Sequence, residues 1–277
     1  MTNSALPIGI FDSGVGGITV LKEIRNRLPH EDIIYLGDTA RLPYGTKSTS
    51  TVEQYAEGAA KFLLKRGIKI LVVACNTASA VALKSLTERC FPVPVVGVVK
   101  PGANKAVVES DNQRHLILAT EATTRELAYT KAILELEPDA VCQEIACPMF
   151  VALAEEGWGE GKIAVSVADK YLGFFKDQDH GPAPDTAILG CTHFPLLRDS
   201  ISQVLGEGIK IIDSASTSAE QVVEVLREYK LKSDKTAVGR VEFLATEGVE
   251  RFARVGGNFL GTQLSKDDIE VVDINLF

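Results

Sequence analysis

Ten short apolar runs, separated by amphipathic stretches almost without interruption, constrain the fold of this chain more than any other feature. They are Pro7 to Phe11, Asp32 to Gly37, Ile68 to Ala74, Val93 to Val98, His115 to Ala119, Ala140 to Ile145, Ala187 to Gly190, Lys210 to Ile212, Arg240 to Leu244 and Glu270 to Asp273. Runs of this length, rich in Ile, Leu and Val and ending at polar or glycine clusters, read as buried strands. The stretches between them carry helical spacing. Thr51 to Arg66 places Val52, Tyr55, Ala59, Phe62 and Leu63 on one face, spaces Thr51 and Gln54 as a capping box, and stops at Gly67. Ser216 to Tyr229 does likewise, with Ala219, Val222, Val223, Leu226 and Tyr229 as its stripe. Strand and helix in alternation give parallel sheets with right-handed crossovers and exclude all-α and all-β folds. An α/β protein is expected.

Two of these runs end in similar phrases, Ile70-Leu-Val-Val-Ala-Cys75-Asn-Thr77 and Thr186-Ala-Ile-Leu-Gly-Cys191-Thr-His193. Both thiols then lie at carboxyl ends of strands, where open α/β sheets bind ligands and where the N-terminus of a following helix favours thiolate. The likeness of the phrases hints at an internal repeat with one half-site on each of two sheets. Breaks in the pattern fall at Lys100-Pro-Gly102 and at Asp213-Ser-Ala-Ser216. The other cysteines, Cys90, Cys142 and Cys147, read as small buried apolar residues. An odd total of five without C-x-x-C spacing argues against a disulfide framework or a zinc site.

Over 277 residues, 37 acidic and 29 basic side chains leave a net charge of -8, and the Lys and Arg residues form no stripe, so nucleic-acid binding is not expected. Met1-Thr-Asn-Ser-Ala-Leu-Pro7 lacks a basic region followed by an apolar one, and no uncharged run is long enough for a membrane span. A soluble, cytoplasmic protein is expected.

Three further clusters lie after strands or helices. Phe11-Asp12-Ser13-Gly14-Val15-Gly16-Gly17 has glycines that let backbone N–H groups approach an anion, but neither G-x-G-x-x-G nor a Walker ending, so a small carboxylate ligand fits better than a nucleotide. In Gly37-Asp38-Thr-Ala-Arg41-Leu-Pro43-Tyr44-Gly45, Pro43 and Gly45 fix a turn that holds Tyr44, while Asp38 and Arg41 either pair with each other or touch ligand. His193 stands two residues beyond Cys191, where an imidazole can relay the thiol proton. Glu155, taken alone, reads as a solvated carboxylate at a helix end.

Together these motifs resemble the glutamate racemases, cofactor-independent enzymes of the aspartate/glutamate racemase superfamily that supply D-glutamate for peptidoglycan. The resemblance covers nearly the whole length. It rests on Phe-Asp12-Ser13-Gly-Val-Gly-Gly, Gly-Asp-Thr-Ala-Arg-x-Pro-Tyr44-Gly45, Ala-Cys75-Asn76-Thr77-Ala, Gly-Cys191-Thr192-His193-Phe-Pro and a tail from Phe252 to Gly261. It implies two pseudo-symmetric α/β domains with the active site in the cleft between them. Residues 1–99 plus 213–277 would form the first, carrying Cys75, and 100–212 the second, carrying Cys191.

The resemblance also implies a two-base mechanism: racemising an α-carbon removes a proton from one face and delivers one to the other, so each face needs an acid/base group. Cys75 matches the base for D-glutamate and Cys191 the base for L-glutamate. Asp12 matches the carboxylate assisting Cys75, and Glu155 and His193 the pair assisting Cys191. Asp12, Ser13, Tyr44, Gly45, Asn76, Thr77, Thr192 and His193 match substrate-binding positions. No cofactor or metal is implied, and a homodimer is. Carboxylates beside thiols raise thiol pKa values, so the ligand-free thiols are expected to be mostly protonated until substrate ammonium and helix N-termini offset the effect. Two departures from the family pattern stand out: Ala119-Thr120-Glu-Ala-Thr123-Thr124-Arg-Glu126 lacks the usual glycines, and Ala152 replaces a usual proline. Alternatives are an aspartate or hydantoin racemase, a cysteine hydrolase that would leave one thiol idle, and a binding protein. The acidic surface neither demands nor excludes the gyrase inhibition described for some members.

Overall fold

A computed structural model describes residues 3–176 and 182–274 of the chain. Met1 and Thr2, within the N-terminal stretch read above, lie outside the described residues. The strands are β1 (Ile8–Asp12), β2 (Ile33–Gly37), β3 (Ile70–Val73), β4 (Val95–Gly97), β5 (Arg114–Ala119), β6 (Val141–Ala146), β7 (Thr186–Gly190), β8 (Lys210–Asp213), β9 (Val241–Ala245) and β10 (Ile269–Val271). Each of the expected runs contains or overlaps one of them. The helices are α1 (Ile18–Arg27), α2 (Thr49–Lys65), α3 (Asn76–Cys90), α4 (Val99–Glu109), α5 (Glu121–Arg125), α6 (Ala128–Leu134), α7 (Pro148–Glu155), α8 (Gly161–Leu172), α9 (Arg198–Leu205), α10 (Ser214–Glu228) and α11 (Val249–Leu260).

The strands form two parallel sheets, one ordered β10-β9-β2-β1-β3-β4 and the other β6-β5-β7-β8. The orders 2-1-3-4 and 6-5-7-8 are the same path drawn twice. In each sheet the first strand lies between the second and the third, so successive crossovers leave in opposite directions and open a crevice at the carboxyl ends. The two cysteine phrases occupy equivalent third strands, β3 and β7, on separate sheets.

Three local expectations need correction. The capping box at Thr51 is absent, because Ser48 already caps α2 by accepting from Thr51 N at 3.3 Å, and the helix starts at Thr49. The break at 100–102 lies inside α4, where Pro101 falls in the first turn and its missing N–H costs no hydrogen bond. At 213–216 β8 runs directly into α10, with Asp213 Oδ1 accepting from Ser216 N at 2.8 Å as the cap.

Side chains from both sheets share one core. Ile10 and Val72 of the larger sheet, Leu116 and Leu189 of the smaller, Leu21 of α1 and Val222 of α10 belong to a single buried cluster. Burying each such aliphatic side chain contributes about 1.5–3 kcal/mol. Helix α10 thus acts as a shared wall between the sheets. No helix of the described residues is long and apolar enough to cross a membrane.

Candidate active site

The carboxyl ends of both sheets open onto one cleft of about 440 Å³. It is lined by Ser13, Tyr44, Gly45, Cys75, Asn76, Thr77, Glu155, Cys191, Thr192 and His193, together with Leu42, Thr120, Ala152 and Arg251 among others. The fold therefore gathers every expected site residue except Asp12 onto the cleft wall.

Cys75 leaves β3 and caps α3: its Sγ accepts from Ala78 N at 3.5 Å and donates to Ser13 Oγ at 3.5 Å. The N-terminus of α3 and the Ala78 N–H favour thiolate, as does the Ser13 hydroxyl once it turns to donate to the ionised sulfur, but they are outweighed. Burial first, and the charge of Asp12 second, push the Cys75 thiol up to about 12. Alkylation of Cys75 by iodoacetamide in the ligand-free protein, followed by mass spectrometry, is therefore expected to be slow at neutral pH and to accelerate steadily toward pH 11. A plateau below pH 8 would contradict this environment.

Asp12 is fully buried behind the cleft. The glycine loop expected to receive an external carboxylate wraps this one instead. Gly14 N donates to Asp12 Oδ2 at 2.9 Å, and the N–H groups of Gly17 and Ser13 also act on it. Burial nevertheless raises its pKa, and among the described residues Oδ1 has no hydrogen-bond partner. The remaining glycine serves close approach. A Cβ on Gly16 would lie 2.3 Å from Thr192 Oγ1 and 2.5 Å from His193 Nδ1, both on the opposite wall.

Cys191 differs from Cys75 in the backbone on its C-terminal side. A turn, with Phe194 N donating to Cys191 O at 3.1 Å, and a short 3-10 segment Phe194–Leu197 precede α9, so no α-helix begins at this thiol. The expected symmetry of two helix N-termini fails here. An imidazole takes that place: His193 Nδ1 lies 3.7 Å from Cys191 Sγ and Nε2 lies 3.2 Å from Glu155 Oε1. Burial disfavours the imidazolium, but hydrogen bonds and charges at Cys191 and Glu155 prevail and raise His193 to about 10. Glu155 is not a freely solvated carboxylate, since most of its side chain is buried. It sits at the end of α7 between His193 and Arg251, whose Nη2 donates to Oε2 at 2.5 Å; against the effect of burial, these two cations hold its pKa below the usual range.

Asp38 and Arg41 do pair, at 2.6 Å, and Asp38 is fully buried. Asp38 also accepts from Tyr44 OH at 2.6 Å, which commits the phenol proton and leaves the ring and main chain of the Tyr44–Thr46 turn facing the cleft. The Asn76 carboxamide is likewise engaged, accepting from Tyr129 OH at 2.6 Å and donating to Ser214 Oγ at 3.3 Å. Asn76 and Thr77 then offer the cleft the N–H groups of the first turn of α3. Thr77 Oγ1 lies 2.9 Å from Thr120 Oγ1, joining the two walls. Among the described residues the five cysteines are free and no cluster of three or more His, Cys, Asp or Glu side chains is placed to hold a metal.

The model of the Asp/Glu/Hydantoin racemase family matches residues 17–222. The chain belongs to this family. The glutamate racemase of Geobacter metallireducens is 48% identical over 93% of this chain and 93% of its own. Among solved structures, the glutamate racemase of Francisella tularensis in complex with D-glutamate superposes with a TM-score of 0.89 at 35% identity, covering 99% of this chain and 100% of that one. That of Thermus thermophilus, in complex with beta-chloro-D-alanine, gives 0.88 at 38% identity and covers 99% of each. The protein is a racemase.

Within the racemase frame, the altered segment around Thr120 has a visible role. Glu126 accepts from Thr49 Oγ1 at 2.7 Å at the start of α2, and Arg125 Nη2 donates to Lys47 O at 3.1 Å. Arg125 and Glu126 thus fasten one wall to the other. Sequence reasoning did not single out Arg251. It lies one residue before the tail motif, on a helix whose polar face carries other charges, and only its proximity to Glu155 in space marks it.

Proposed function

We propose that this racemase interconverts L- and D-glutamate by a two-base mechanism, with Cys75 exchanging the α-proton on the D face and Cys191 on the L face. The observation that carries the reading is the pair of thiols, each at the end of an equivalent strand, facing one cleft from different sheets. A relative named as a glutamate racemase at 48% identity, and a solved glutamate racemase holding D-glutamate, support the substrate. Two carboxylates and an ammonium suit a cleft of hydroxyls and main-chain N–H groups from Ser13, the Tyr44–Gly45 turn, Asn76, Thr77 and Thr192.

In the direction from D to L, the α-ammonium of the substrate brings positive charge to the cleft and lowers the cost of ionising Cys75. Asp12, made more basic by burial, assists that ionisation. The thiolate removes the α-proton and Cys191 donates one to the opposite face, with the imidazolium of His193 stabilising the thiolate left behind. The reverse direction exchanges these roles. Cofactor and metal have no part in this scheme. The same reading divides the chain into residues 1–99 plus 213–277 and residues 100–212, supported by the sheet to which each strand belongs. It places a homodimer in the cytoplasm, where D-glutamate enters peptidoglycan synthesis.

The test is incubation of each enantiomer in deuterated water without pyridoxal phosphate or metal. Solvent deuterium is expected at the α-carbon of the newly formed antipode in both directions. Absence of exchange with either enantiomer would remove the reading.

A further inference from the structure

Arg251 stands outside every motif that marks the active site, yet its side chain reaches the cleft. It is carried by α11, which comes after β9 of the larger sheet, while Glu155 ends α7, which comes after β6 of the smaller one. The contact between Arg251 Nη2 and Glu155 Oε2 therefore spans the cleft mouth. Glu155 Oε1 faces His193 Nε2 at 3.2 Å, and His193 Nδ1 faces Cys191 Sγ at 3.7 Å. Four side chains form one line from solvent to thiol.

The ends of that line differ in constraint. His193 is 7% exposed and is packed edge-on by Phe259 at 5.1 Å between ring centroids. Among the described residues Glu155 is held by its two cations, with 14% of its side chain exposed, whereas the Arg251 side chain is 61% exposed. A carboxylate has two oxygens, and fixing one of them on Arg251 aims the other at His193. Among the described residues no such line reaches Cys75, whose hydrogen-bond partners are Ser13 Oγ and Ala78 N.

We infer that Arg251 is a positioning residue for the Cys191 half of the reaction, orienting Glu155 toward His193 only when the two walls of the cleft are together. Because α11 and α7 lie on opposite walls, any separation of the walls would break the Arg251 contact. The charged and titratable groups acting on this line are Asp12 and Cys191 at His193, His193 and Arg251 at Glu155, and Cys75, Cys147 and Tyr129 near Cys191.

The inference rests on the proposed two-base assignment, and one experiment separates the two. Wild type, Arg251→Met and Arg251→Lys are compared with L-glutamate and D-glutamate deuterated at the α-carbon. For Arg251→Met, turnover is expected to fall about fivefold, in keeping with a partly exposed ion pair. The decisive readout is the isotope effect. It should rise with labelled L-glutamate, because proton transfer at Cys191 becomes more rate-limiting, and fall with labelled D-glutamate. Arg251→Lys should move both values back toward wild type. Unchanged isotope effects, or equal shifts on both enantiomers, would overturn the role of Arg251 even if turnover dropped. Failure of the wild type to racemise glutamate at all would overturn the functional reading instead.

Discussion

Replacing Cys75 or Cys191 by alanine, one at a time, is expected to lower racemisation by about 10²- to 10⁴-fold, the contribution of a positioned acid/base group. The informative result is what each variant keeps. With Cys191 removed, Cys75 can still take and return the α-proton of D-glutamate, so D-glutamate should exchange slowly with deuterated water without becoming L-glutamate. With Cys75 removed, the same holds for L-glutamate. Nuclear magnetic resonance of the α-proton resolves the two. If either cysteine were dispensable, the site would be that of a single nucleophile with a histidine, and the hydrolase alternative would return. A cysteine to alanine change removes only one heavy atom, so the cavity it leaves is small and the folds of the variants are expected to survive.

The second large effect is expected from Gly16→Ala. An added Cβ would stand 2.3 Å from Thr192 Oγ1 and 2.5 Å from both Nδ1 and Cε1 of His193. These atoms are not loose ends. The His193 ring is held by Phe259 on one side and by Glu155 on another, and Thr192 O accepts from Thr19 Oγ1 at 3.0 Å. The two walls must therefore part or the imidazole must leave Cys191. Overpacking of this kind costs about 1–3 kcal/mol of stability. A displacement of about 1 Å at a reacting group costs about 10²-fold in rate. Thermal unfolding and turnover measured together check both. A fully active Gly16→Ala protein would mean that His193 does not need its present position.

The physical reason for what the sequence makes legible is periodicity. Strand runs such as Thr186 to Gly190 are buried on both faces, and that composition is readable without knowing the partner strands. The two cysteines were legible because each ends such a run. Interactions between segments distant in the chain were not. The glycines after β1 signal that backbone N–H groups meet an anion, but only the folded loop shows that the anion is Asp12, two residues away from Gly14. Glu155 reads as solvated because nothing local announces that His193, 38 residues on, and Arg251, 96 residues on, will sit against it. Cys191 looked like a second helix cap because Thr-His-Phe-Pro gives no signal that a turn and a 3-10 segment delay α9. Lys100-Pro-Gly102 shows the converse, a strong local breaker absorbed harmlessly by the first turn of a helix.

The unlike surroundings of the two thiols have a thermodynamic consequence. L- and D-glutamate have the same free energy in water, so their equilibrium constant is one, and kcat/KM must be identical from the two sides whatever the walls of the cleft do. A helix terminus beside Cys75 and an imidazolium beside Cys191 cannot make the protein a better catalyst for one enantiomer at low concentration. Any asymmetry they create has to appear as a trade of kcat against KM, with the enantiomer that turns over more slowly at saturation having a KM lower in the same proportion. The two directions can then differ only once the cleft is filled.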